Sequence, residues 1–206
     1  MIFKNILRIF KSYKFSLVTI IFFELLFLLK GNKGNNFTFS NIKGMTDNIP
    51  CPYYFLYKIK KKIKDINFNL FLDLGSGSGR VIDFFNKNLQ NKNFIGIEYF
   101  DKQFLYCKEK FKKHDNIKFI QGDFTKLDFL RYNADCYFLN EPINIEKSLI
   151  EILKKIKNSK NNNSAILLIL VNCNKNVLEY LDDLQCIETF YINDKKGYSI
   201  YYINNK

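Results

Sequence analysis

The chain has 206 residues, of which 47% are hydrophobic and 25% are charged, and its formal net charge is +12. This length suits one domain with a short appendage, and this composition excludes wholesale disorder. The positive charge is almost entirely lysine, because Arg8, Arg80 and Arg131 are the only arginines. Arginine is the preferred side chain for bidentate phosphate and base contacts, so the charge indicates a solvated lysine-rich surface, and nucleic acid is not an expected partner.

The five cysteines are scattered without a C-x-x-C pair, and His114 is the only histidine. This pattern predicts neither a disulfide framework nor a zinc site, so no metal is expected. Free cysteines fit a reducing compartment.

Residues 1–36 form a basic and apolar segment that ends in a Gly- and Asn-rich linker. Its apolar run extends from Phe15 to Leu29 (residues 15–29), with Glu24 as the only charge inside it. As an α-helix this run would rise about 22 Å, which is short of the roughly 30 Å hydrocarbon core of a bilayer. Counted from Ile6, with flanking lysines reaching water, the segment becomes long enough.

Three structures are compatible with this run: a membrane anchor, the core of a signal peptide, or a helix packed on a soluble domain. No small-residue cleavage site follows the run, which disfavours a signal peptide. Glu24 is costly in lipid unless it is paired or protonated, which disfavours a simple transmembrane span. We expect membrane association, with a transmembrane or an interfacial helix, and keep the packed helix as the alternative.

Residues 37–66 are predicted to form a loop and an amphipathic helix, and residues 67–206 an α/β domain in which short apolar strands alternate with helices. The predicted strands are residues 70–74, 94–97, 117–120, 136–139, 165–171, 186–192 and 197–203, and the helices after residue 67 are 81–89, 101–113, 145–156 and 177–184. Apolar strands separated by helices indicate a mostly parallel sheet covered on both faces. The polar residues 193–196 between the last two strands predict an antiparallel hairpin.

A glycine-rich loop follows the first predicted strand, with glycines at alternate positions 75, 77 and 79. Glycines let the backbone turn sharply and approach a ligand closely, and the free N–H groups of the following helix suit a carboxylate or phosphate. The spacing is G-x-G-x-G with Asp73 before the first glycine, which differs from the G-x-G-x-x-G of dinucleotide enzymes. The candidate cofactor-binding residues in this segment are Asp73, Gly75, Ser76, Gly77, Gly79 and Arg80.

Acidic residues follow the next two predicted strands. Glu98 and Tyr99 end the second strand, where a carboxylate can accept hydrogen bonds from ribose hydroxyls. Asp123 and Phe124 follow the third strand, and Asn140 and Glu141 follow the fourth. Because ligands of open α/β sheets bind at the carboxyl ends of strands, we expect these residues to lie at one edge of the sheet.

These four segments, in this order, resemble the motifs of class I S-adenosylmethionine-dependent methyltransferases over about two thirds of the chain. The resemblance implies a Rossmann-like fold with a seven-stranded sheet that ends in a hairpin, and S-adenosylmethionine as cofactor. It implies that Glu98 binds the ribose, Asp123 the adenine amino group, and Phe124 the adenine ring. Since this cofactor is made and kept in the cytosol, it also implies a domain that faces the cytoplasm, on a membrane or as a cytoplasmic protein.

Within the superfamily, three features are similar to the membrane-anchored ATP-synthase c-subunit lysine methyltransferase relatives and to uncharacterised bacterial homologues. They are the P-x-P-Y segment at residues 50–53, Arg80 at the end of the glycine loop, and Asn140 and Pro142 after the fourth strand. Amine methyltransferases with an Asn/Asp-Pro-Pro-aromatic motif hold the target nitrogen there. Here Glu141 and Ile143 stand at the positions of the first proline and the aromatic residue of that motif.

The sequence therefore predicts a methyltransferase whose acceptor is a protein lysine or, alternatively, a small or lipid-like molecule. Asn140 and Glu141 are the candidate catalytic residues. A non-catalytic cofactor-binding protein and an NAD(P)-dependent oxidoreductase are the competing hypotheses. The intact loop and the acids argue against the first, and the glycine spacing and the terminal hairpin argue against the second.

Overall fold

The computed structural model describes residues 17–29, 50–141, 146–159, 165–173, 177, 184–193 and 196–203. The helices in these ranges are α1 (Leu17–Leu29), α2 (Tyr53–Ile63), α3 (Arg80–Asn88), α4 (Asp101–Lys110) and α5 (Glu146–Lys157). The strands are β1 (Leu70–Leu74), β2 (Asn93–Glu98), β3 (Ile117–Gln121), β4 (Cys136–Asn140), β5 (Ile166–Val171), β6 (Leu184–Asn193) and β7 (Lys196–Ile203). Two 3₁₀ turns, Phe124–Lys126 and Phe129–Arg131, connect β3 to β4.

The seven strands form one sheet in the order β3-β2-β1-β4-β5-β7-β6. Strands β1 to β5 are parallel, whereas β7 is antiparallel to both of its neighbours. The predicted mostly parallel α/β sheet with a terminal hairpin is thus confirmed. The strand order reverses between β1 and β4, and a ligand site in an open sheet lies at such a point, beyond the carboxyl ends of the strands.

The start of the hairpin differs from the sequence prediction. A short helix was expected over 177–184, but Leu184 is the first residue of β6 and pairs with Ile203 of β7. Residues 178–183 lie outside the described residues. Leu184 is apolar and packs against the core from its position in β6. Over so few residues, the spacing of apolar side chains does not distinguish a helix from a strand.

The two faces of the sheet carry separate hydrophobic cores, because successive side chains of a strand point in opposite directions. Phe71 and Phe138 lie on the face covered by α2 and α3, with ring centroids 5.9 Å apart. Leu72 and Tyr137 lie on the opposite face, under α5. Because helices cover both faces of the sheet, its strands are continuously apolar. The polar residues lie where the strands end, at the carboxyl edge of the sheet.

Helix α1 packs on α2 and α3 through one face. The ring of Phe27 stacks on Tyr53 with centroids 4.5 Å apart, and Phe23 contacts Tyr54 at 5.3 Å. Ile20 and Glu24 on the same face are buried. These contacts are those that the packed-helix alternative predicts. The helix has 13 residues, and none of the helices in the described ranges has the length and apolarity to cross a bilayer, so the expected transmembrane helix finds no support.

Candidate active site

The turn between β1 and α3 contains three glycines in the left-handed region of backbone space. Gly75, Gly77 and Gly79 have φ angles of 81°, 55° and 74°, which other residues adopt only at a cost. At Gly79 the space is also closed, since an added Cβ would lie 2.8 Å from the Phe111 ring. The alternate glycine spacing in the sequence is therefore a requirement of the turn itself.

Glu98, the last residue of β2, holds this turn in place. Its Oε2 accepts a hydrogen bond from the Gly77 N–H at 2.7 Å, and its Oε1 accepts one from the Phe100 N–H at 2.9 Å. Burial raises the pKa of the Glu98 carboxyl, and these backbone donors partly offset that effect. With the backbone N–H groups of Gly77, Tyr99 and Phe100 as donors, the carboxylate retains acceptor capacity for one more hydrogen bond, so the expected ribose contact stays a prediction.

Buried polar atoms without a partner point to a ligand beside the turn. In the described part of the chain these atoms are Asp73 Oδ2, Ser76 Oγ and Gln103 Oε1. Burial, and then the charge of Glu98, hold the pKa of Asp73 well above its usual range. A native protein seldom leaves such groups unsatisfied, so two of them in one segment indicate a place where a polar ligand binds.

The residues after β3 have local contacts of their own. Asp123 accepts hydrogen bonds from the backbone N–H and the hydroxyl of Thr125, at 3.0 and 2.6 Å, and caps the first 3₁₀ turn. Burial acts to raise the pKa of Asp123, but the bonds from Thr125 and the charge of Lys126 outweigh it and lower the pKa. Phe124 is buried in the core under α5, whereas Tyr99 is exposed. The adenine-binding roles of Asp123 and Phe124 and the cofactor-binding role of Tyr99 stay predictions.

Arg80 is placed differently from the other predicted cofactor-binding residues, because its guanidinium points to α1. Its Nη1 donates to both carboxylate oxygens of Glu24, at 3.1 and 2.9 Å, and to the Cys51 carbonyl at 3.3 Å. Burial alone would lower the pKa of Arg80, but the neighbouring Glu24 carboxylate and Tyr53 raise it above its ordinary value. In this structure Arg80 therefore contributes to the turn through its backbone position, and its side chain fastens α1.

The two candidate catalytic residues lie at the carboxyl end of β4. Asn140 Oδ1 accepts a hydrogen bond from Asn172 Nδ2 at 3.0 Å, and Glu141 Oε2 lies 2.8 Å from Lys196 Nζ. Glu141 and Asn172 both have positive φ angles, 41° and 55°. Residues other than glycine rarely adopt positive φ angles, and those that do are often found at functional sites.

Sequence reasoning missed Asn172 and Lys196 as members of this group. Asn172 follows β5 directly, at the level where Asn140 ends β4, and its Oδ1 accepts the Gly197 N–H at 3.3 Å. The position of Asn172 after an apolar strand was a usable signal. Lys196 carried none, because its contact with Glu141 depends on how the hairpin folds back beside β5.

Residues 71–160 match the family model described as a methyltransferase domain. No curated protein sequence is a significant match. Many solved structures share the fold, with low identity. The N,N-8-amino-8-demethyl-D-riboflavin dimethyltransferase RosA from Streptomyces davawensis matches with a TM-score of 0.57 and 10% identity, over 75% of this chain and 54% of its own, so this chain spans about half its length.

Two further structures match over most of their own length. A SAM-dependent methyltransferase from Aquifex aeolicus has a TM-score of 0.53 and 14% identity, over 72% of this chain and 89% of its own. An rRNA methylase from Streptococcus thermophilus has a TM-score of 0.55 and 12% identity, over 74% of this chain and 97% of its own. At these identities the likeness concerns the fold.

Replacing Asp73 by Asn should stabilise the ligand-free protein at neutral pH. Because the folded-state pKa of Asp73 is raised, its contribution to stability is fully present below the ordinary pKa and is lost as pH rises through the folded pKa. The gain in melting temperature from Asp73→Asn should therefore be larger at pH 8 than at pH 5. The exposed substitution Asp65→Asn is the control, and an Asp73→Asn variant that is less stable than wild type at pH 8 would contradict the buried-charge account.

Proposed function

Because the chain carries a class I S-adenosylmethionine-dependent methyltransferase domain, we propose that it transfers a methyl group from this cofactor to an amine. A protein lysine is the acceptor we favour. The observation that carries this proposal is the contact between Glu141 and Lys196, which brings a lysine ammonium to the carboxyl end of β4. The proposal rests on the chemistry of that strand end, since the fold alone does not select an acceptor.

The residues of the turn fit S-adenosylmethionine, the cofactor of this domain. The unpartnered carboxylate oxygen of Asp73 suits the amino group of the methionine moiety, and the N-terminus of α3 suits its carboxylate. Glu98 would accept the ribose hydroxyls, and Asp123 the adenine amino group. Each of these is a role that the donor and acceptor chemistry of the residue allows.

Bound S-adenosylmethionine supplies a methyl group on a positively charged sulfur, ready for in-line displacement by a neutral amine. The chain must therefore position the amine, exclude water and accept a proton from a lysine ammonium before transfer. Glu141 is our candidate for accepting this proton, because its Oε2 lies 2.8 Å from the Lys196 ammonium. The Asn140 amide, oriented by Asn172, would hold the nitrogen that has lost its proton.

Other acceptors and a non-catalytic role are the alternatives. The solved structures with this fold include a methyltransferase named for a riboflavin derivative and one named for rRNA, so a small-molecule acceptor stays open. The low arginine content of this lysine-rich chain disfavours specific RNA contacts. A chain that binds the cofactor but methylates nothing would be a binding protein.

The acceptor is tested by methyl transfer to a proteome. Radiolabelled cofactor and purified protein are incubated with membrane and soluble fractions from a strain that lacks the gene, and labelled protein is hydrolysed. The proposal predicts label in methylated lysine. Label only in small or lipid-like molecules would support the alternative acceptor, and no label in any fraction would support a binding role.

Glu98→Ala should weaken binding of S-adenosylhomocysteine by about 1.5–3 kcal/mol, the range for a hydrogen bond to a charged group. The substitution also removes the acceptor that holds the Gly77 N–H. Calorimetric titration measures the affinity, and Glu109→Ala, an exposed acid on α4, is the control. Equal affinity in the Glu98 and Glu109 variants would remove Glu98 from the ribose role.

Asn140→Ala should lower turnover by about tenfold or more, an effect of over 1.4 kcal/mol on the barrier, with little change in cofactor affinity. The reason is that its amide lies at the strand end where the acceptor is expected. Steady-state rates with a labelled acceptor and cofactor titration separate the two effects. Asn88→Ala, at the far end of α3, is the matched control, and full activity of the Asn140 variant would place the acceptor contacts elsewhere.

We further propose that the outer face of α1 lies on a membrane surface and holds the domain on its cytosolic side. Val18, Phe22, Leu25 and Leu29 recur at helical spacing and are 81%, 59%, 47% and 88% exposed. Glu24 faces the domain, so this stripe contains no charge. In the sequence, Lys14 precedes this helix and Lys30 follows it, and an apolar stripe with basic residues near it is typical of a helix that lies in the interface plane.

Flotation with vesicles that contain an anionic lipid tests this location. The full chain should float with the vesicles, and the chain that starts at Phe37 should not. A double variant, Phe22→Ser with Leu25→Ser, keeps the inner face of α1 and should also stay unbound. If the full chain and the truncated chain are equally soluble, and truncation lowers only stability, the protein is a cytoplasmic one with α1 as a structural helix.

A further inference from the structure

We propose that Glu24 is a positioning residue for the cofactor turn, acting through Arg80, so that docking of α1 and binding of the cofactor are linked. This inference rests on the proposed function, because it concerns affinity for S-adenosylmethionine. It assigns a role to the only charged residue of an otherwise apolar helix.

Both members of the Glu24–Arg80 ion pair are buried. Glu24 is 2% exposed and Arg80 8% exposed, and one guanidinium nitrogen donates to both carboxylate oxygens, at 3.1 and 2.9 Å. Removing one member of such a pair leaves an uncompensated charge in the interior, which is strongly destabilising. The charge of Arg80 therefore requires α1 to be docked.

Three elements meet at this pair. Glu24 Oε1 also accepts the Tyr53 N–H at 2.8 Å and so satisfies the first free backbone donor of α2, which Pro52 cannot cap with a side chain. Arg80 donates to the Cys51 carbonyl, and its guanidinium lies 4.4 Å from the centroid of the Tyr53 ring. Helix α1, the start of α2 and the start of α3 are thus held by one guanidinium.

The position of Arg80 in the chain connects this contact to the turn. Arg80 is the first residue of α3 and follows Gly79, whose carbonyl accepts the Asp83 N–H at 2.9 Å as the first turn of the helix forms. The turn is held at its centre by the bond from Gly77 to Glu98. If Glu24 is lost, the end of the turn at Arg80 loses its attachment to α1, while the bond from Gly77 to Glu98 remains.

A merely structural ion pair would affect stability and leave affinity unchanged, so the two roles are separable. Binding couplings are reciprocal: if docked α1 favours cofactor binding, the bound cofactor must favour docked α1 by the same factor. A ligand at the turn should therefore slow hydrogen exchange in α1, although the contacts of α1 are with α2 and α3.

The experiment measures both directions in the full chain with S-adenosylhomocysteine as the probe. Glu24→Gln should weaken binding at least tenfold in calorimetric titrations, and Glu24→Asp should recover part of the loss because it keeps the charge. Lys62→Gln removes a different ion pair of α2, with Glu188, and should leave the affinity unchanged.

Hydrogen exchange of the wild-type chain gives a second readout that needs no variant. The probe should slow exchange in Leu17–Leu29 at least threefold and leave Glu146–Lys157, on the opposite face of the sheet, unchanged. Equal affinity of wild type and Glu24→Gln, or equal exchange of α1 with and without the probe, overturns the linkage and leaves the proposed function intact. A wild-type chain that does not bind the probe overturns both.

Discussion

The hydrogen bond from the Gly77 N–H to the buried carboxylate of Glu98 is the contact on which the candidate site depends. It fixes the turn after β1 against the end of β2 at 2.7 Å. The amides of Gly75 and Ser76 support it, since both donate to the Ile97 carbonyl at 3.0 Å. With the turn held there, Asp73 and Ser76 remain buried with polar atoms that a ligand can satisfy.

The opposite end of the turn is held by a contact from outside the sheet. Arg80 begins α3 and binds Glu24 of α1, so the segment before the α/β domain contributes to the geometry at its centre. The strand end where we propose that the acceptor binds is arranged separately, since Asn172 donates to Asn140 and Lys196 pairs with Glu141. The proposed cofactor and acceptor sites thus use different strands, so we expect that acceptor specificity can change without loss of the turn.

The sequence predicted the features that depend on local pattern. Apolar strands, the glycine turn and the terminal hairpin follow from periodicity and from residues that tolerate positive φ, such as Gly77. The contact of Glu24 with Arg80 could not be predicted, because the residues are far apart in the chain and an acid in an apolar run has several explanations. The contact of Lys196 with Glu141 required the sheet order, which brings β7 beside β5. Leu184, the first residue of β6, was assigned to the helix predicted over 177–184, because a segment of so few residues does not distinguish a helical from a strand period.

Calorimetric titration of the full chain with S-adenosylhomocysteine, and in parallel with NAD, distinguishes an S-adenosylmethionine site from a dinucleotide site. We expect S-adenosylhomocysteine to bind at one site and NAD not to bind, because the turn has the G-x-G-x-G spacing and is held by Glu98. Binding of NAD without binding of S-adenosylhomocysteine would contradict this expectation.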